Sequence, residues 1–270
     1  CIASIGCMGQ SGQRSLHQPL QPAMDANFIA QTEFISVTQT LAEILRENDL
    51  GSRPYGLPLS RRSAAKLTTL KMRLEVIEPK YLSRRDRALR HSLLHGISNL
   101  KSASVCRSQV WTVNPINGLQ LATLRRFAPR TVMGPGEVEW LAQRYVRLAQ
   151  DLVEHAQNVS KGLNDGYVAA RINVGQVLGQ IDAQLDGEIA TSPYLGVYGQ
   201  PDSSEPAPTK LIEVIKNNVY PSLVKYADVL KHKILPQART QVGLTNNIPE
   251  GESCYRALIG LHVGIAMAPM

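Results

Sequence analysis

Aromatic side chains are scarce in this chain: 3 Phe, 2 Trp and 9 Tyr make up only 5% of 270 residues. A core must therefore be assembled mainly from Leu, Ile, Val and Ala. No run of about 18 apolar residues occurs, so no stretch reads as a transmembrane helix. The longest apolar stretch, from Ala257 to Pro269, is too short to span a bilayer and contains His262. Alternating apolar–polar runs of useful length are also missing, which argues against strands. The four cysteines (Cys1, Cys7, Cys106 and Cys254) form no C-x-x-C pair, so a zinc ribbon is not expected. Glycine-rich phosphate loops are absent, and Gly134-Pro135-Gly136 fits a helix start instead. No Ser/His/Asp set is recognisable by local motif. His17, His155, His232 and His262 stand alone in sequence.

What is present is basic charge, unevenly spread. The net charge is +7, yet residues 46–130 alone carry +12 and the remainder carries −5. Such a block fits either an anionic partner or a set of solvated helix faces. No nucleic-acid motif and no aromatic interleaving accompany it, so no nucleic-acid partner is expected.

Apolar residues recur at three- and four-residue steps through most of the chain, the mark of amphipathic helices. The first 24 residues show no such period and read as a flexible tail. Residues 25–270 read as one helical domain. Phe34, Val37, Leu41 and Leu45 form one stripe, stopped by Asn48-Asp49-Leu50-Gly51. After a loop through Pro54, Gly56 and Pro58, Ser60 is a candidate start for a second helix. Its stripe is Leu67, Leu70, Leu74 and Ile77, ended by Pro79. Ser83-Arg84-Arg85-Asp86 has the spacing of a capping box, and predicts a buried face of Leu89, Leu93, Ile97 and Leu100. A short stripe follows from Leu119 to Phe127, ending at Pro129.

The clearest helix is predicted over about Glu137 to Leu163, with Val138, Leu141, Tyr145, Leu148, Leu152, Ala156, Val159 and Leu163 on one stripe. Asn164-Asp165-Gly166 breaks it. A second helix is predicted from about Tyr167 to Leu185, and the tight turn between the two reads as an antiparallel hairpin. Residues 187–208 form a long Gly/Pro/Ser-rich segment of the kind that often lines a cleft. From Thr209 to about Val242 the helical period returns, with Leu223, Ala227, Leu230 and Ile234 facing one way. Pro221 and Pro236 should start or kink helices there. The fold class expected is all-α, an array of antiparallel helical hairpins.

Three groups of residues invite chemistry. His91 and His95 stand at i and i+4, the ligand spacing of H-E-x-x-H zinc hydrolases. Position 92 is Ser, so the carboxylate base is missing, and Arg84 and Arg87 lie on the preceding turns. These histidines read as surface residues. Glu250 and Glu252 read as solvent-exposed turn carboxylates, and Glu137 and Glu139 as partners of a helix N-terminus. Arg239 and Tyr255 have two readings, as parts of a helix end and restart, or as polar contacts in a substrate groove. They are the candidate substrate-binding residues.

Cys1 leaves alternatives open. A cysteine as first residue matches a mature bacterial lipoprotein, which makes Cys1 a candidate lipidation site and membrane tether. It also matches a chain that merely begins there. A third option makes Ser4-Ile5-Gly6-Cys7 the end of a clipped signal peptide. Cys106 and Cys254 are open between a disulfide in an exported protein and two thiols.

The order and spacing of several segments resemble a known family. These are Trp111 with Val113-Asn114-Pro115, Asn164-Asp165-Gly166-Tyr167-Val168-Ala169, the helix Val174 to Leu185, Ser192-Pro193 and Ile234-Leu235-Pro236-Gln237-Ala238-Arg239. Most specific is Val242-Gly243-Leu244 followed by Ile248-Pro249-x-Gly251-x-x-x-Tyr255. Over roughly residues 40–265 the chain resembles the bacterial family called domain of unknown function 885. The resemblance implies a large helical protein akin to zinc-dependent peptidases, often exported and sometimes a lipoprotein of the cell envelope. It implies zinc and a peptide-like substrate for the complete protein, with a zinc-bound water attacking the peptide carbonyl. The family's His/Glu metal motif has no match here, so no catalytic residue and no metal ligand is carried over. On this reading the chain is the amino-terminal part of a larger protein, inactive alone, whose natural packing partner is the missing second half. The alternative is a non-catalytic, envelope-associated helical binding lipoprotein, held by Cys1 and the basic block.

Overall fold

The computed structural model describes residues 25–47, 61–126, 135–196 and 208–263. The expected tail, Cys1 and Cys7, the Asn48–Gly51 stop and the Pro54–Pro58 loop lie outside the described residues. So do Phe127, Pro129 and the end of the Ala257–Pro269 stretch. The described chain is all-α. Helices α1 (Ala26–Glu47), α2 (Arg61–Val76) and α3 (Arg84–Ser102) come first, followed by α4 (Leu119–Arg126), α5 (Pro135–Asn164) and α6 (Arg171–Leu185). A short α7 (Pro193–Gly196) precedes a long helix α8, which runs over residues 209–237. The last is α9 (Gly251–Val263). Among the described residues no strand forms, only one isolated parallel bridge between Ala170 and Arg239. No described helix is long and apolar enough to cross a membrane.

Helices α1 to α3 bury one small core: Phe34, Val37, Ile44, Leu67, Leu70, Leu74, Ile77 and Ile97 are all within it. Each such aliphatic side chain contributes roughly 2 kcal/mol by leaving water. Arg73 ties α2 to α1, donating through Nε to Glu33 Oε1 at 2.6 Å and through Nη2 to Ser36 Oγ at 3.0 Å. That bond holds the Glu33 carboxyl below its ordinary pKa. Ser83 caps α3 as its spacing predicts, accepting from the Asp86 amide at 3.1 Å. Leu89 departs from the predicted face and is 41% exposed. Arg90 donates to the carbonyls of Leu74 and Glu75, so α2 ends level with Arg90. Leu89 stands in the second turn of α3, where Arg90 beside it takes the place facing α2.

The larger core lies among α4 to α8. Leu141, Tyr145, Leu148, Leu152, Ala156 and Val159 of α5 are buried on one stripe, as the period predicts. The packing partner of α5 is α8, while α6 packs against α8 and α4. The tight turn after α5 therefore joins two helices that share a core mainly through α8, not along a common seam. Gly166 makes that turn at φ +78°, with Tyr167 N–H bonded to Gly162 O at 2.8 Å and Gly166 N–H to Leu163 O at 3.1 Å. This is the left-handed helix cap that glycine favours.

Helix α6 begins at Arg171, four residues later than the sequence predicts, because Tyr167 to Ala170 are extended and pair with Arg239. The first half of the presumed cleft loop is also structured. Tyr194 and Leu195 of α7 are buried in the core, and residues 197–207 lie outside the described chain.

Pro221 and Pro236 each stand at the start of an α segment, Tyr220–Val229 and Leu235–Gln237, within the continuous α8. Each follows a wide π turn within α8, Ile215–Val219 and Leu230–Ile234. Proline has no N–H, and its ring clashes with the carbonyl four residues back. In the residue before each proline, the amide bonds five residues back instead: Tyr220 N–H to Ile215 O and Leu235 N–H to Leu230 O. The widened turn accommodates the ring and the helix continues.

Candidate functional site

Three of the segments singled out by sequence, around Trp111, Tyr167 and Ile248, meet at a third, small core of Cys106, Val110, Tyr167, Ile248 and Cys254. Cys106 and Cys254 form a disulfide across 148 residues of chain. Cys106 closes the 3-10 turn Ala103–Cys106 that follows α3, and Cys254 lies in the first turn of α9.

Arg239 is the hub. It leaves α8 as extended backbone, donating its own N–H to Ala169 O at 3.1 Å and accepting from Arg171 N–H at 2.8 Å. Its side chain donates through Nε to Val168 O at 3.0 Å and through Nη1 to Gly243 O at 2.8 Å. Nη1 also donates to Gln241 O. These bonds engage Nε and Nη1; Nη2 is not among them. The guanidinium carbon stands 5.8 Å from the Trp111 ring centroid, and Trp111 Nε1 donates to Cys106 O at 2.8 Å. Partial burial pushes the Arg239 pKa below its ordinary value. An arginine fork can satisfy several carbonyls at once without losing its charge.

Beside it, Arg107 bonds Asp165 Oδ2 at 2.8 Å and stands 4.8 Å from the Tyr167 ring centroid. Gly251 opens α9 under Leu244 O, which lies 2.0 Å from where a Cβ would stand. That close approach gives the glycine of the I-P-x-G segment its physical reason. Tyr255, on the next turn, is 40% exposed, and Val242 in the preceding loop is 62% exposed. Arg239 is a clamp on carbonyls, and Tyr255 follows the bridged Cys254 on an exposed side of α9.

The other candidates lie apart. His91 and His95 are exposed on α3. His95 Nδ1 is 3.0 Å from Asn99 Nδ2, which also donates to Gly260 O at 2.7 Å and so joins α3 to α9. No cluster of three or more His, Cys, Asp or Glu able to hold a metal occurs among the described residues. His91 and His95 have no third ligand beside them among the described residues. Glu250 and Glu252 are exposed, and Glu252 pairs with Arg256. Glu139 pairs with Lys210.

Two buried features escaped the sequence reading. His155 lies in the interior of α5, its ring 5.4 Å from that of Tyr226. Burial pushes its pKa down to about 4, opposed by a hydrogen bond with the Thr112 backbone. Tyr145 donates to Tyr194 O at 2.5 Å, and Tyr194 to Gln184 Oε1 at 2.8 Å, inside the main core. Burial raises both phenols well above their ordinary range. A lone His or Gln on an apolar stripe carries no spacing signal, so sequence could not have marked these.

Fold and junction define an all-α protein pinned at one corner by a disulfide and an arginine clamp. Residues 58–270 match the family described as bacterial protein of unknown function (DUF885), and the chain belongs to that family. Helix α1 lies outside the matched residues. No curated protein and no solved structure matches the chain.

Proposed function

We propose that this chain is the helical scaffold of a zinc-dependent, peptidase-like protein and forms one wall of a cleft for a peptide-like substrate. The metal chemistry on this reading belongs to polypeptide beyond these residues. The supporting observation is the Arg239 junction. Segments 71 residues apart meet there, and the exposed residues nearby in sequence are Val242 in the loop after Arg239 and Tyr255 on α9. Tyr255 offers an aromatic face and a hydroxyl to a peptide. Arg239 holds the 240–250 loop through Nε and Nη1 and keeps Nη2 for a substrate carbonyl or carboxylate.

Peptide binding and hydrolysis by the 270-residue chain test this directly. The expected result is weak binding of an unstructured peptide pool, reduced about fivefold or more by Tyr255→Ala, and no turnover. Peptide turnover by these residues, or zinc bound at one ion per chain, overturns the division of labour. In-frame sequence past codon 270 lacking a His/Glu metal motif overturns the zinc assignment.

The same reading puts the protein at the bacterial cell envelope, outside the reducing cytoplasm. The Cys106–Cys254 disulfide supports it, because such bonds persist in oxidising compartments. Cell fractionation checks this, and recovery of the protein from the cytoplasm with Cys106 and Cys254 as thiols removes the assignment.

A further inference from the structure

We propose that the Cys106–Cys254 disulfide is a redox-sensitive latch whose reduction frees helix α9 while the two larger cores stay folded. The proposal stands whether or not the chain serves a peptidase. Helix α9 packs against α3 and the Ala103–Cys106 turn. Of its thirteen residues only Gly251 and Cys254 are buried. The core beneath it has five buried residues, two of them the bridged cysteines, and it shares none with the cores of α1–α3 and α4–α8. Apolar burial along the rest of α9 is only partial, with Ala257 to Leu261 half-buried, and the covalent bond adds to it.

Backbone strain sits at the same place. Among the described residues, the non-glycine residues with positive φ are Arg107 at 44° and Glu250 at 54°. Arg107 follows Cys106 directly, and Glu250 accepts the Cys254 amide at 2.8 Å. The left-handed region is unfavourable for both. Once the cross-link is gone, undocking α9 lets both relax. Asn99 Nδ2, which donates to Gly260 O at 2.7 Å, is one of the contacts that must break for α9 to leave.

The redox step needs a dithiol reductant. The S–S bond breaks, the dithiol supplies two electrons and two protons, Cys106 and Cys254 become thiols, and the dithiol becomes a disulfide. Both cysteines are fully buried, so exchange proceeds through transient local opening around the intact bond and is slow. Tyr255 rides on α9, so its presentation follows the state of the latch.

Hydrogen–deuterium exchange on the full 270-residue chain, with and without dithiothreitol, tests this. Amides of residues 251–263 and 103–111 should exchange roughly tenfold faster or more after reduction. Those of Pro135–Asn164 and residues 209–237 should keep their protection. The double variant Cys106→Ala/Cys254→Ala should match the reduced chain without reductant. Unchanged protection in α9 overturns the latch. So does loss of protection through every helix, a double variant that fails to fold, or peptide mapping that finds both cysteines as free thiols before reduction.

Discussion

The carbonyl oxygen of Val110 lies 1.9 Å from the point where a Cβ on Gly162 would stand. Helix α5 and the 3-10 turn Ser108–Val110 touch there through backbone alone. In an exposed helix interior, Gly→Ala adds stability of about 0.5–1 kcal/mol. At Gly162 the sign reverses, because the obstacle is backbone that must shift. Gly162→Ala should cost about 3 kcal/mol. Gly175→Ala and Gly179→Ala in α6, where nothing lies within 4 Å, should instead stabilise by up to about 1 kcal/mol. Urea unfolding of the three variants checks the opposite signs. A neutral Gly162→Ala would show that the two segments are not in contact.

Arg239 holds three carbonyls, two of them in the loop that leads to α9. Arg239→Ala leaves them to water or unpaired and should cost about 2–3 kcal/mol. Arg239→Lys should recover less than half of that, since an ammonium lacks the fork. Chemical denaturation gives the ranking, and equal stability of the lysine variant and the parent would remove the clamp from the argument.

Stability should depend on pH through His155. Its folded pKa of about 4 lies below the ordinary 6.5, so the unfolded chain binds more protons between those values. Stability is full above about pH 6.5 and falls as pH drops toward 4. The whole effect amounts to about 3 kcal/mol. Denaturation series at several pH values should show this slope, and His155→Leu should flatten it. A slope unchanged in His155→Leu would assign the acid sensitivity elsewhere.

Tyr194 donates to Gln184 Oε1 within the main core, where both residues are buried. Tyr194→Phe keeps the ring and its edge-on contact with Tyr145, whose centroid lies 5.7 Å away. It strands the Gln184 oxygen, at a cost of about 1–3 kcal/mol. Adding Gln184→Leu to it should restore part of the loss, which a double-mutant cycle would measure.

The helices and their buried faces were readable along the chain because burial on one side imposes a 3.6-residue period. The stripe from Leu141 to Val159 and the cap at Ser83 follow from local pattern alone. So does the turn at Gly166, where a helix must end in left-handed backbone. Local pattern was not enough at Leu89, which has the right spacing while Arg90 takes the place facing α2. Nor was it enough at Pro221 and Pro236, because a π turn depends on packing that keeps the helix going through a proline. At Arg239 and Tyr255 the sequence identified residues worth testing but not their different roles.

By itself, the sequence determined an all-α chain, its main stripes and its breaks, since these arise from interactions between near neighbours. Only the tertiary structure decided that α8 lies against α5, that Cys106 meets Cys254, and that Arg239 binds the carbonyls of Val168, Gln241 and Gly243. The α5–α8, Cys106–Cys254 and Arg239–Val168 contacts join segments whose spacing in sequence carries no period, so only the packed chain brings them together.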